Sequence, residues 1–165
     1  MSAIDPIADI RPRGHLALMV KGDKSRLSKL LTESRLKKRA SILIGWWASV
    51  GVSVSPVAPD RYWLLLNRLR VGRSGPLGKT SDILAELRAF STGSDMLTVI
   101  GWDVDEEPAL LIGAEKLIAK VSALDQIYPD GFILISDLDG KALLVDFDYE
   151  AGPHVNSIDL PTSGI

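Results

Sequence analysis

The sequence predicts an α+β fold: a mixed, mostly antiparallel sheet with a carboxy-terminal β-hairpin and three to four helices packed on it. Three observations lead there. Residues 128–150, YPDGFILISDLDGKALLVDFDYE, hold two apolar runs hinged at Asp139-Gly140. Asp-Gly between such runs signals a hairpin, because both central residues of a type I′ turn need φ > 0. Apolar residues at helical spacing recur in several separate stretches. Finally, 165 residues without a cysteine suffice for one domain that buries roughly two-thirds of its unfolded surface without staples.

In order, residues 1–12 read as a flexible leader and 13–160 as a single α+β domain, with 71–80 as the place for any internal boundary. MSAIDPIADIRPRGH has no charged segment followed by an apolar core, so it does not read as a secretory signal. Together with the missing cysteines, this gives a cytoplasmic expectation. His15–Val20 is read as a strand. From Asp23 a basic helix follows, with Leu27, Leu30 and Leu31 at helical spacing among Lys24, Arg26, Lys29, Arg35, Lys37 and Lys38. Such a helix could meet nucleic acid, membrane or an acidic partner. Without interleaved aromatics or a recognisable binding motif, a solvated face is the commoner outcome, and the alternatives kept open are a nucleic-acid or membrane-surface binding module using the basic helix 24–39 and a small enzyme with no recognisable motif.

Residues 40–58, ASILIGWWASVGVSVSPVA, are long enough to span a membrane, and Lys37-Lys38-Arg39 would be a positive-inside flank. Serines, a proline, two glycines and the alternation of Val50, Val52 and Val54 argue instead for two core strands bending near Gly45 or Gly51. In a strand the adjacent Trp46 and Trp47 face opposite ways, one into the core. Asp60–Arg70 places Tyr62, Leu65, Leu66 and Leu69 on one helical face, and 71–80 is a turn-rich connector. Thr80 or Ser81 then caps a helix with Ile83, Leu87 and Phe90 as its apolar stripe. Ser94–Trp102 and Ala109–Ile112 are strands around an acidic turn, and Gly113–Leu124 is a helix with Leu117, Ile118 and Val121 inward.

In the hairpin, a two-residue loop pairs Leu138 with Lys141, Ser136 with Leu143, Leu134 with Val145 and Phe132 with Phe147. Both faces are apolar in the middle, which predicts a central place in the sheet. His154–Leu160 alternates as an edge strand.

Charge divides along the chain. Residues 1–80 contain 15 Lys/Arg against 5 Asp/Glu, whereas residues 81–165 contain 4 against 16. Two fields of opposite sign either neutralise each other across the fold or leave one facing a partner. Asp146, Asp148 and Glu150 recur at i, i+2 and i+4, so they leave a strand on one side and need water, a cation or a basic surface.

Familiar catalytic patterns fail on spacing. Gly72–Thr80 ends in Gly-Lys-Thr, but a phosphate-binding loop needs its first glycine at position 73, which is Arg73. Asp137-x-Asp139-Gly140 imitates a calcium loop whose first ligand position is Ile135. His15 and His154 are the only imidazoles and have no defined ligand spacing, so no metal, cofactor or catalytic residue is assigned.

Ile127-Tyr128-Pro129-Asp130-Gly131-Phe132, the hairpin and Leu143-Leu144-Val145-Asp146-Phe147-Asp148 resemble the carboxy-terminal part of small immunity proteins. These belong to bacterial contact-dependent growth inhibition and related polymorphic toxin systems, and the resemblance covers Trp102–Leu160. It implies a non-enzymatic protein that neutralises one cognate toxin, often a nuclease, by covering its active site or a neighbouring surface. A nuclease site attracts phosphate and is basic, which makes Asp103, Asp105, Glu106, Asp146, Asp148 and Glu150 the expected partner-binding residues.

Overall fold

The computed structural model describes residues 23–71, 73–74, 78–79, 82–102, 107–136, 140–148 and 152–160. The expected leader and the strand at His15–Val20 lie outside them. Eight strands among the described residues form one antiparallel sheet: β1 (Ser55–Pro56), β2 (Arg73–Ser74), β3 (Gly78–Lys79), β4 (Met96–Gly101), β5 (Leu110–Gly113), β6 (Gly131–Ser136), β7 (Lys141–Asp148) and β8 (Gly152–Asp159). Their spatial order is β1-β5-β4-β6-β7-β8-β2, with β3 also on β8.

The middle of this sheet is covered on both faces. In β6 every residue is buried, and alternation sends Phe132 and Leu134 to one side and Ile133 and Ile135 to the other. The first side, with Leu97, Val99, Leu143 and Val145, packs under helices α1 (Asp23–Ser49), α3 (Ile83–Ser91), α4 (Ala114–Ala119) and α5 (Leu124–Ile127). The second, with Ile100, Ala142 and Ile158, packs under α2 (Pro59–Val71), whose Tyr62, Leu65, Leu66 and Leu69 form the expected stripe. A central strand buried on both faces is what its unbroken apolar run requires.

Helix α1 overturns the expected pair of strands at 40–58. It runs unbroken to Ser49 and buries Leu36, Ala40, Leu43 and Trp47, positions that fall on one helical face. The core supplies that stripe, and the valine alternation follows the helix rather than replacing it. Gly51 ends the helix in a Schellman motif: Gly51 N–H donates to Ala48 O at 2.9 Å, and Val52 N–H donates to Trp47 O at 3.0 Å. Gly51 has φ +84°, which only glycine adopts without strain, and the buried Val52 joins Trp47 in one cluster, as the motif favours. Among the described residues no helix is long and apolar enough to cross a membrane.

Trp47 is fully buried and Trp46 is 41% exposed, so one tryptophan does enter the core, but through helical geometry. Leu27, Leu30 and Leu31 lie on the opposite side of α1 from the buried stripe and are 56%, 54% and 56% exposed. The apolar face of α1 thus changes sides along its length.

Other expectations shift by smaller amounts. Asp82, rather than Thr80 or Ser81, caps α3 by accepting from Ala85 N–H at 3.0 Å. The helix expected over Gly113–Leu124 divides into α4, a 3₁₀ turn at Val121–Ala123, and α5; Leu117 is buried, while Ile118 and Val121 are partly so. The β6–β7 register pairs Ser136 with Lys141, Leu134 with Leu143 and Phe132 with Val145, so the connection is four residues long and not two. A slip of two leaves every side chain on its expected face, because strand alternation has period two. Finally, β8 is no edge: the connector at 71–80 supplies β2 and β3, which pair with it on the side away from β7.

Candidate functional site

Antiparallel pairing brings the described flanks of the two acidic stretches to one end of the sheet. Gly101 at the end of β4 pairs with Phe132, which pairs with Val145, which pairs with Val155. Beyond that row, Trp102 N–H donates to Gly131 O at 3.1 Å, and Gly131 pairs with Asp146. Asp146 faces His154 across β8, and Asp148 faces Gly152. Gly101 and Trp102 before the acidic turn and Asp148 at the end of β7 therefore lie at one end of the sheet, with β6 between β4 and β7.

Of the six residues expected to bind a partner, Asp146 is half-buried on the β7 face that it shares with Leu144 and Ala142. Asp148 is placed by its backbone at the end of β7. Asp103, Asp105, Glu106 and Glu150 lie outside the described residues, as do Asp137 and Asp139 of the rejected calcium pattern. Asp130, exposed in the turn before β6, adds a carboxylate that sequence reasoning did not include.

Glu107 is the acidic residue with the clearest geometry, and it was not among the candidates. Arg39 of α1 holds it with two hydrogen bonds, Nη2 to Oε1 at 3.0 Å and Nε to Oε2 at 3.3 Å, with both side chains largely covered. A forked guanidinium–carboxylate pair is the strong form of the contact. Its neighbour Gly101 makes room: a Cβ there would come within 2.6 Å of Glu107 Cγ. The Arg39 guanidinium also stacks 4.9 Å from the Trp46 ring centroid. Nothing local in the sequence marks this pair, whose members are separated by 68 positions.

Beneath it, Trp47 Nε1–H donates to Tyr128 Oη at 3.4 Å. Burial drives the Tyr128 hydroxyl well above the ordinary tyrosine range; the hydrogen bond from Trp47 opposes this, the Glu107 charge adds to it and Arg39 opposes it. Tyr128 therefore stays neutral and serves as a packed anchor, with the Phe132 ring 6.1 Å away.

Among the described residues the remaining polar groups do not gather around a reacting centre. Gly78 and Lys79 lie in β3, paired with Val155 and His154, so the Gly-Lys-Thr run opens no strand–loop–helix cradle. A shallow groove lined by Trp46, Ser49, Val50, Ala123, Gln126 and Ile127 has a volume of about 220 Å³, below the usual span for small-molecule pockets. Among the described residues no three His, Asp or Glu side chains are grouped as a metal ion would require. No family model, curated protein or solved structure matches this chain.

Proposed function

We propose that this chain is a non-enzymatic immunity or inhibitor protein of the cytoplasm. On this reading it neutralises a cognate bacterial toxin, of the nuclease class, by docking its acidic sheet end on the toxin's basic surface. One observation carries the reading: β4 and β7 finish at the same end of the sheet with β6 between them, so the segments that bear Asp103, Asp105 and Glu106 and the Asp146–Glu150 run leave from that end. Carboxylates grouped on a rigid sheet end would steer encounter with a phosphate-attracting site and disfavour acidic competitors. Glu107 is held back from this surface by Arg39 and serves as its internal brace.

The experiment identifies the genes beside this one and takes any secreted toxin domain encoded there; a neighbourhood without one counts against the reading. Co-expression should protect cells, and the purified proteins should form a stoichiometric complex. Asp146→Lys with Asp148→Lys should weaken that complex at least about tenfold, mainly through slower association and with a reduced salt dependence. Affinity and salt dependence identical to the parent chain would rule out this docking end.

A further inference from the structure

The outer face of α1 is a second surface, independent of the toxin reading. At about 100° per residue, Leu30, Leu27 and Leu31 lie roughly 120° to 220° around the helix from the buried Leu36. All three are more than half exposed. Arg26 and Lys37 flank this arc on one side, Arg35 lies on the other and Lys38 continues its line; all four are exposed. Glu33 lies off this arc and accepts from Trp63 Nε1–H at 3.3 Å, and Asp23 stands at the first position of the helix. An apolar strip bordered by cations on both sides is the layout of a helix that lies in a lipid–water interface.

We infer that the amino-terminal half of α1 is a peripheral contact for anionic phospholipid, with Leu27, Leu30 and Leu31 entering the acyl boundary and Arg26, Arg35, Lys37 and Lys38 meeting headgroup phosphates. Charge decides against a second copy of the same face, which would bring these cations against their own kind. Access decides against a groove that wraps the helix: its inner side is taken by Trp63 of α2, which meets both Glu33 and the Lys29 ammonium, 5.8 Å from its ring centroid. A planar anionic surface needs only the outer arc. The strip is short, since the same line continues through Ser34, Lys38 and Ser41, so contact is shallow and reversible and does not span the bilayer.

The test is sedimentation of the full chain with phosphatidylcholine vesicles, with and without phosphatidylserine. The chain should partition onto the anionic vesicles, be released by added salt and ignore the neutral ones. Leu27→Ser/Leu30→Ser/Leu31→Ser should lower partitioning at least about tenfold, and so should Arg35→Gln/Lys37→Gln/Lys38→Gln. Because these side chains are exposed, circular dichroism and melting should match the parent. The chain has no cysteine, so Leu30→Cys carries one environment-sensitive dye, whose emission should shift to the blue on anionic vesicles only. Absence of vesicle binding overturns the proposal. So does binding unaffected by the leucine substitutions, or a dimer that those substitutions abolish while no vesicle is bound.

Discussion

The Arg39–Glu107 pair joins the basic and acidic halves of the chain, and a double-mutant cycle measures how firmly. Arg39→Met keeps the stem that packs along α1 and removes the charge, whereas Glu107→Gln keeps the shape and removes the carboxylate. Exposed pairs contribute about 0.2–1 kcal/mol, and breaking one member of a buried pair costs about 3–5 kcal/mol. With side chains 29% and 17% exposed and a forked geometry, this pair falls between them, and a coupling of about 1–2 kcal/mol is expected. The single variants should differ. Glu107→Gln leaves Arg39 stacked on Trp46, while Arg39→Met removes both the forked partner of a largely covered carboxylate and the stacking on Trp46, so the arginine change should cost more. Urea unfolding of the four proteins gives the coupling directly; in a chain of this size each kcal/mol also shifts the melting temperature by about 2–4 °C. Additivity within about 0.3 kcal/mol would refute the reasoning and return Glu107 to the solvent-facing acidic surface.

Three further outcomes follow from the same coordinates. Gly131→Ala should cost about 3 kcal/mol or more in urea unfolding, because a Cβ at φ +118° would meet Val145 O at 2.1 Å, a backbone atom of the paired strand that cannot yield; a loss below about 1 kcal/mol would mean β6 and β7 separate easily there. Gly51→Ala should cost about 1 kcal/mol through φ alone, since open space surrounds the position, and an unchanged melting temperature would count against the Schellman end of α1. Tyr128 has a folded-state pKa above its unfolded value of 10.0, so its contribution is complete below pH 10 and declines above it. Tyr128→Phe should flatten that alkaline decline, as followed by unfolding at several pH values, and an identical decline in the variant would place the titrating group elsewhere.

Legibility in the sequence tracked how many residues carried each periodic signal. The stripe of α2 was readable in full, because Tyr62, Leu65, Leu66 and Leu69 repeat at helical spacing within one uniform stretch and all are buried. The stripe of α1 was split, because Leu36 sits among cations while Ala40, Leu43 and Trp47 sit among apolar residues, and the change of composition at Arg39 resembled a boundary. A bend between strands was expected near Gly45 or Gly51; Gly45 lies inside the helix and Gly51 ends it, because a glycine marks a strand bend and a helix end alike. In the hairpin, faces survived a wrong loop length because alternation tolerates a slip of two. Strands β2 and β3, two residues each, carry no period at all and arise because the exposed edge of β8 has backbone groups to satisfy. For the candidate site, the acidic run at β7 was visible by spacing, whereas Glu107 depended on Arg39 across the fold and on the missing side chain at Gly101.

The uneven charge of the chain acquires a spatial meaning once α1 is a single helix. Its carboxy-terminal half is anchored in the core through Ala40, Leu43 and Trp47, and its amino-terminal half carries Leu27, Leu30 and Leu31 outward among lysines and arginines. Arg39 stands at the junction and is the cation that turns back to the sheet, where Glu107 receives it beside the ends of β4 and β7. Neutralisation at this point fixes α1 against the acidic end without consuming either field, since Arg26, Arg35, Lys37 and Lys38 remain exposed on one side and Asp130 on the other. Two surfaces of opposite sign on one rigid frame can act on different partners only if they do not screen each other. Separation beyond the Debye length, about 8 Å at physiological ionic strength, is enough for that. If both proposed contacts hold, substitutions on the outer arc of α1 should lower vesicle binding at least about tenfold and leave toxin affinity unchanged, and a parallel loss of both would show that the two surfaces are coupled.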